Sequence, residues 1–200
     1  MFSRIWRRVL LLLLSKKEKS LFAALDDQYK WLLWEKSPKI LVEALNCYGV
    51  YEFSGEENNP LIIEWAKEIG GWIGGWYTED SIPWCGLFVG ICAKRAGFPH
   101  SQKMLSARSW VEWGRESDKP SLGDVLVFSR SGGGHVGFYV GEDDEFYHVL
   151  GGNQSDAVNI MRIRKSRLIS ARRCEWRVRQ PENVRVIKLS GRGNISENES

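Results

Sequence analysis

Apolar residues recur at helical spacing through the first half of the chain and fall into strand-length blocks in the second. Leu21, Phe22, Leu25, Tyr29, Leu32 and Leu33 predict an amphipathic helix over 20–35. Ile40 to Leu45 predicts a short helix ending near Cys47, and Pro60 can open another that runs through Ile69. Gly70, Gly71, Gly74 and Gly75 interleave with Trp72 and Trp76, which predicts an irregular segment whose indoles either pack or line a groove. Leu87, Phe88, Ile91, Cys92 and Ala96 then predict a buried helix. Asp80 or Ser81 is its expected cap, Pro83 suits its first turn, and Gly97 with Pro99 ends it. Ser106 to Trp113 reads as a further short helix. From there the period changes. Val125–Phe128, His135–Val140, Glu145–Leu150 and Val158–Ile163 predict four strands, with a last one near Arg172 to Val178. Helices first and an antiparallel β-meander second make this an α+β domain, with the N-terminal helices packed on the meander.

Length and composition set the frame for that pattern. Two hundred residues accommodate one domain over 40–180, an N-terminal helical extension over 1–39 and a tail over 181–200. Ser37-Pro38 marks the first boundary. The tail holds one apolar piece, Val184 to Leu189, and is expected to be disordered from Gly191 onward. At the other end, Arg4, Arg7 and Arg8 precede Val9–Leu14, the order of a secretion signal. Six apolar residues fall short of that signal's usual core, no small-residue cleavage site follows, and the run is too short to span a bilayer. Residues 2–14 are therefore expected to form an amphipathic helix that contacts a membrane surface, a partner or the main domain. The net charge is only +3, but eight Lys or Arg and a single acid, Glu175, lie between Arg162 and Arg179. That stretch reads either as a face for an anionic polymer or as a solvated strand-and-loop surface. No nucleic-acid recognition motif accompanies it, so a nucleic-acid partner is not expected.

The cysteines narrow the chemistry. Cys47, Cys85, Cys92 and Cys174 lack CxxC spacing, which leaves zinc, redox and other cofactor sites unsupported. Cys85 falls in the first turn of the buried helix, where the positive end of the macrodipole favours a thiolate. The alternative is a small buried hydrophobe. A nucleophilic thiol needs a base within hydrogen-bond reach, and there are three histidines, His100, His135 and His148. His135 opens a strand directly after a glycine-rich loop and is the expected base. A third polar group should orient its imidazole. Strand alternation places Val149, Gly151 and Asn153 on one face and favours Asn153; His148 is the alternative third residue, and Asp156 a weaker one. Trp84 and Tyr77 lie near the nucleophile and either bound a substrate cleft or pack.

Four segments carry a resemblance. They are Pro83-Trp84-Cys85-Gly86-Leu87-Phe88-Val89, Gly123-Asp124-Val125-Leu126-Val127-Phe128, Gly134-His135-Val136-Gly137-Phe138-Tyr139-Val140 and Leu150-Gly151-Gly152-Asn153-Gln154. In this order they resemble the NlpC-type and CHAP (cysteine, histidine-dependent amidohydrolase/peptidase) cell-wall enzymes, in particular a small prophage-borne subfamily. The resemblance covers about residues 40–175. It implies a papain-like fold, Cys85 as nucleophile, His135 as base, Asn153 as the polar orienter, and His148 in the third-residue slot of some NlpC-type members. The acidic residue that many CHAP members carry two positions before the asparagine is Gly151 here. The implied activity is bacteriolytic: hydrolysis of an amide in peptidoglycan, at a stem-peptide bond or at the sugar–peptide amide, by a monomer without metal. The implied place of action is the cell wall, after synthesis in the cytoplasm, as a lysis enzyme (endolysin), a virion component or a secreted toxin. A non-catalytic wall-binding module and an acyl transferase on the same fold are the competing expectations.

Overall fold

The structure, a computed structural model, describes residues 14–101, 103–176 and 180–197. The helix expected over 2–14 therefore lies almost wholly outside the described residues, as does the Val178 end of the last expected strand. The chain divides between Lys36 and Ser37 into two compact units.

In the first unit, α1 (Lys16–Ala24) is capped on both sides. Ser15 Oγ accepts from the Glu18 N–H, and Glu18 accepts from the Ser15 N–H at 2.8 Å. The chain then tightens into a 3₁₀ turn over Asp27–Leu33, so the helix expected over 20–35 is split. Phe22 meets Trp34 edge-on at 5.8 Å, and the Lys30 ammonium sits over the Phe22 ring.

The second unit is organised around α5 (Cys85–Ala96), whose first nine residues are all buried. Before it come α2 (Lys39–Leu45), α3 (Pro60–Ile69) and a single helical turn, α4 (Gly71–Trp76), where irregular chain was expected. Asn59 caps α3 through the Leu61 N–H, with Pro60 at its first position. Ring contacts run from Trp65 on α3 to Phe88 on α5 at 6.1 Å, and from Phe88 to Phe138 in the sheet at 5.9 Å. Met104 and its backbone lie so close to α5 that a Cβ at Gly86 would stand 2.0 Å from the Met104 carbonyl oxygen. Only glycine allows that approach. Gly97 closes α5 in the left-handed conformation. The helix expected over 106–113 is a 3₁₀ segment, Ala107–Glu112.

The sheet has six strands: β1 (Arg115–Glu116), β2 (Val125–Arg130), β3 (Gly133–Glu142), β4 (Phe146–Gly151), β5 (Asn159–Arg164) and β6 (Leu168–Arg173). Their order is β1-β6-β2-β3-β4-β5, every named pair antiparallel. The meander is as expected, but the last strand returns to pair with β2 and not with β5. One sheet face turns Phe138 toward α5; the other collects Leu126, Phe128, Tyr139, Val149, Ile163 and Ala171 under Ile187. The tail follows the sheet and is not disordered over its described residues. Glu142 N–H donates to the Ile187 carbonyl, Leu189 N–H returns to Glu142, and Arg162 bonds Asn194 and Ser196 through its backbone.

Most of the described part of the basic stretch is paired within the protein. Arg162 pairs with Asp143, Arg164 with Glu145, Lys165 with Glu142, and Arg173 grips the fully buried Asp124 through two nitrogens at 2.7 Å. Arg172 donates to the carbonyls of Trp113 and Gly114. These charges complete ladders and turns and do not present a free cationic face. No helix among the described residues is long and apolar enough to cross a membrane.

Candidate active site

The segment before α5 is held by polar contacts that leave the helix start uncapped by any side chain. The Tyr77 hydroxyl donates to the Ile82 carbonyl at 2.7 Å. Asp80 accepts from the N–H groups of Phe53 and Asn59 at 3.0 and 2.7 Å. It therefore ties two loops together and is not the helix cap; nor is Ser81, since Trp84 occupies the cap position with no side-chain bond. The first-turn N–H groups of α5, which an α-helix cannot pair internally, remain for the cysteine.

Cys85 is 5% exposed. Burial pushes its thiol above the ordinary value, against backbone N–H groups of Val136, Gly86 and Cys85 itself and the charge of Arg130, all of which favour the thiolate. The helix start acts in the expected direction, but desolvation outweighs it. The Val136 N–H is among the groups that act on the sulfur, and Val136 follows His135 on β3.

His135 is fully buried, and its Nε2 lies 3.1 Å from Gln154 Oε1. The orientation of that amide is fixed by its other end. Gln154 Nε2 donates to the carbonyls of Val149 and Asn159 and to Asn159 Oδ1, while Asn159 Nδ2 returns a bond to the Gln154 carbonyl. With Nε2 of the amide surrounded by acceptors, Oε1 faces the imidazole and must accept, so His135 carries its proton on Nε2. The lone pair of the neutral ring is then on Nδ1. Gly151 makes room for this contact: a Cβ there would stand 2.7 Å from Gln154 Oε1 and 3.0 Å from His135 Nε2. Gln154 was quoted in the Leu-Gly-Gly-Asn-Gln motif but not singled out.

The other expected residues lie apart from that contact. Asn153 is the immediate neighbour of Gln154, buried, at a φ of 55°, with an Oδ1 that has no hydrogen-bond partner. It does not take the imidazole Nε2, because β4 ends at Gly151 and strand alternation no longer governs position 153. His148 is directed elsewhere, to Asp143 Oδ2 at 3.0 Å, and is not brought to His135. Trp84 and Tyr77 are buried, which makes them packing behind the nucleophile and not the wall of an open cleft. The Trp84 indole N–H donates to Glu52 at 3.2 Å. Burial raises the Glu52 carboxyl above its usual value, against that bond and with help from the charges of Asp156 and Asp80. A Cβ on Gly152 would strike Phe88 and Trp84, so the loop after β4 sits directly on the first turns of α5.

A buried thiol at a helix start and an oriented imidazole at the head of the neighbouring strand make an arrangement suited to acyl transfer. Residues 76–153 match the CHAP domain family, a span that begins just before Tyr77 and ends at Asn153. No curated protein and no solved structure matches the chain. Over residues 76–153 the chain is therefore similar to CHAP domains, which are in general hydrolases of peptidoglycan.

Proposed function

We propose that this chain hydrolyses an amide bond of peptidoglycan through a thioester on Cys85. His135 Nδ1 takes the thiol proton as sulfur attacks the amide carbonyl. The carbon–nitrogen bond breaks, and the imidazolium returns the proton to the leaving amine. Water, deprotonated by the same imidazole, then attacks the thioester, releasing the carboxylic acid and restoring the thiol. The Cys85 N–H at the start of α5 is the proposed donor to the oxygen on which negative charge develops in the tetrahedral intermediate. Gln154 is the positioning residue that holds the imidazole in the required tautomer. Every group comes from one chain, so a monomer suffices, and the place of action is the wall.

The observation that supports this reading is the Gln154–His135 contact on β3, the strand whose Val136 N–H acts on the Cys85 thiol. Purified peptidoglycan treated with wild type and with Cys85→Ala, and read by mass spectrometry, tests it. Soluble fragments from wild type alone are expected, and their new termini distinguish a stem-peptide cut from a sugar–peptide cut. No release by wild type would overturn the hydrolase.

A further inference from the structure

We infer that Arg130 is the binding site for a free carboxylate of the substrate next to the scissile amide. The inference rests on the proposed function for what the substrate is, but its own support is separate.

The strand register places Arg130. On the β2–β3 hairpin Phe128 is opposite His135 and Arg130 is opposite Gly133, with no register shift between them. Residues two apart on a strand share a face, so Arg130 and His135 leave the hairpin on the same side, one diagonal step apart. The position opposite Arg130 is a glycine, and nothing lies within 4 Å of where its Cβ would be. The Arg130 charge also favours the thiolate of Cys85.

Its bonding distinguishes it. Arg130 Nε is buried with no hydrogen-bond partner, and the Arg130 side chain makes no hydrogen bond or ion pair among the described residues. A buried donor left without an acceptor is destabilising and is uncommon in a folded protein. Elsewhere the same side chain is satisfied: Arg173 by Asp124, Arg162 by Asp143, Arg95 by Glu68. Arg108, a second guanidinium, is fixed on this hairpin by two bonds to the Gly133 carbonyl at 3.1 and 2.9 Å, with no carboxylate paired to it among the described residues. The turn end of this hairpin therefore carries two guanidinium groups with no carboxylate paired to them among the described residues. A planar fork of donors, one of them unmet, matches the two oxygens of a carboxylate. Stem peptides of peptidoglycan supply such a group, and amidation removes its charge while keeping its size.

The test uses two labelled stem peptides that differ only in a free or an amidated α-carboxylate beside the scissile bond. Binding to full-length Cys85→Ala, which cannot turn over, is followed by fluorescence anisotropy, and wild-type cleavage by mass spectrometry. The expected result is a preference of about tenfold or more for the free carboxylate. It should vanish in Cys85→Ala/Arg130→Gln and survive in part in Cys85→Ala/Arg130→Lys. Equal binding of the two peptides by Cys85→Ala overturns the inference, and so does a loss of affinity for both peptides alike in the Arg130→Gln variant. Preferential binding without wild-type cleavage would uphold the carboxylate site and sink the hydrolase; cleavage without preference would do the reverse.

Discussion

His135 and His148 stand on adjacent strands and are both fully buried, yet their surroundings are opposite in kind. His135 meets a neutral amide, Gln154, next to a thiol. His148 meets a carboxylate, Asp143, which also takes Arg162 and the N–H groups of Glu145 and Phe146. A neutral acceptor fixes the ring's direction and tautomer while leaving it free to gain and lose a proton. A carboxylate shared with an arginine ties the ring into a charge network that locks the β3–β4 turn to β5. On the proposed mechanism the same residue type is thus a reagent in one place and a fastener in the other, and the difference lies in the partner of its Nε2.

The harshest way to break the comparison is to remove each ring. His135→Ala should lower kcat on peptidoglycan by about a thousandfold or more, as loss of an acid–base group does. His148→Ala should leave kcat per folded molecule nearly unchanged but destabilise the fold by about 1–3 kcal/mol, because Asp143 loses a buried donor. Turnover assayed beside denaturant unfolding separates the two, and the opposite pattern would exchange the roles.

A finer cut changes the partner and keeps the ring. Gln154→Ala should reduce kcat by about ten- to a hundredfold, less than losing the imidazole, because Gln154 directs the ring without reacting. Gln154→Glu would give His135 a carboxylate as His148 has. A carboxylate favours imidazolium, so the acid limb of the kcat/KM profile should move to higher pH. A purely structural role for Gln154 would lower the rate without moving that limb. Gly151→Ala should resemble Gln154→Ala, since its methyl would part the same two atoms.

These partners show where the sequence was readable. Cys85 and His135 could be singled out because helix period and strand onset are local, and both positions fall where expected, at the start of α5 and near the start of β3. Gln154 could not be told from Asn153 by alternation: the strand stops at Gly151, and Asn153 then takes a φ of 55°. The fold class and the meander followed from periodicity, whereas the return of β6 to β2 depends on pairing that no local pattern encodes. The basic run looked like a binding face because its acids, Asp124, Glu142, Asp143 and Glu145, are distant in sequence and adjacent only in space. The tail after Gly191 is polar and rich in turn residues, but backbone bonds to Arg162 order it, and composition does not report those.

The gentlest test titrates the fastener. Desolvation lowers the His148 pKa below its ordinary value, with the Asp143 bond only partly restoring it. Asp143 is lowered too: burial raises it, but the bonds from His148, two backbone N–H groups and Arg162 together outweigh burial. For a histidine depressed in the folded state, the unfolded chain binds the proton first, so stability is complete above the unfolded value of about 6.5 and is lost as pH falls through the lower folded value. Asp143 acts with the same sign further down: its contribution is present above the ordinary carboxylate value and is lost as pH falls through the lowered one. Tm should therefore fall on acidification in two stages. His148→Gln should start from a lower Tm at pH 7, lack the upper stage and keep the lower one. A variant whose Tm tracks wild type in parallel from pH 7 to pH 5 would show that folding leaves the His148 pKa at its unfolded value, and a wild type that gains on the variant as pH falls would show it raised, with His148 an ion-pair partner of Asp143 and not a neutral donor to it.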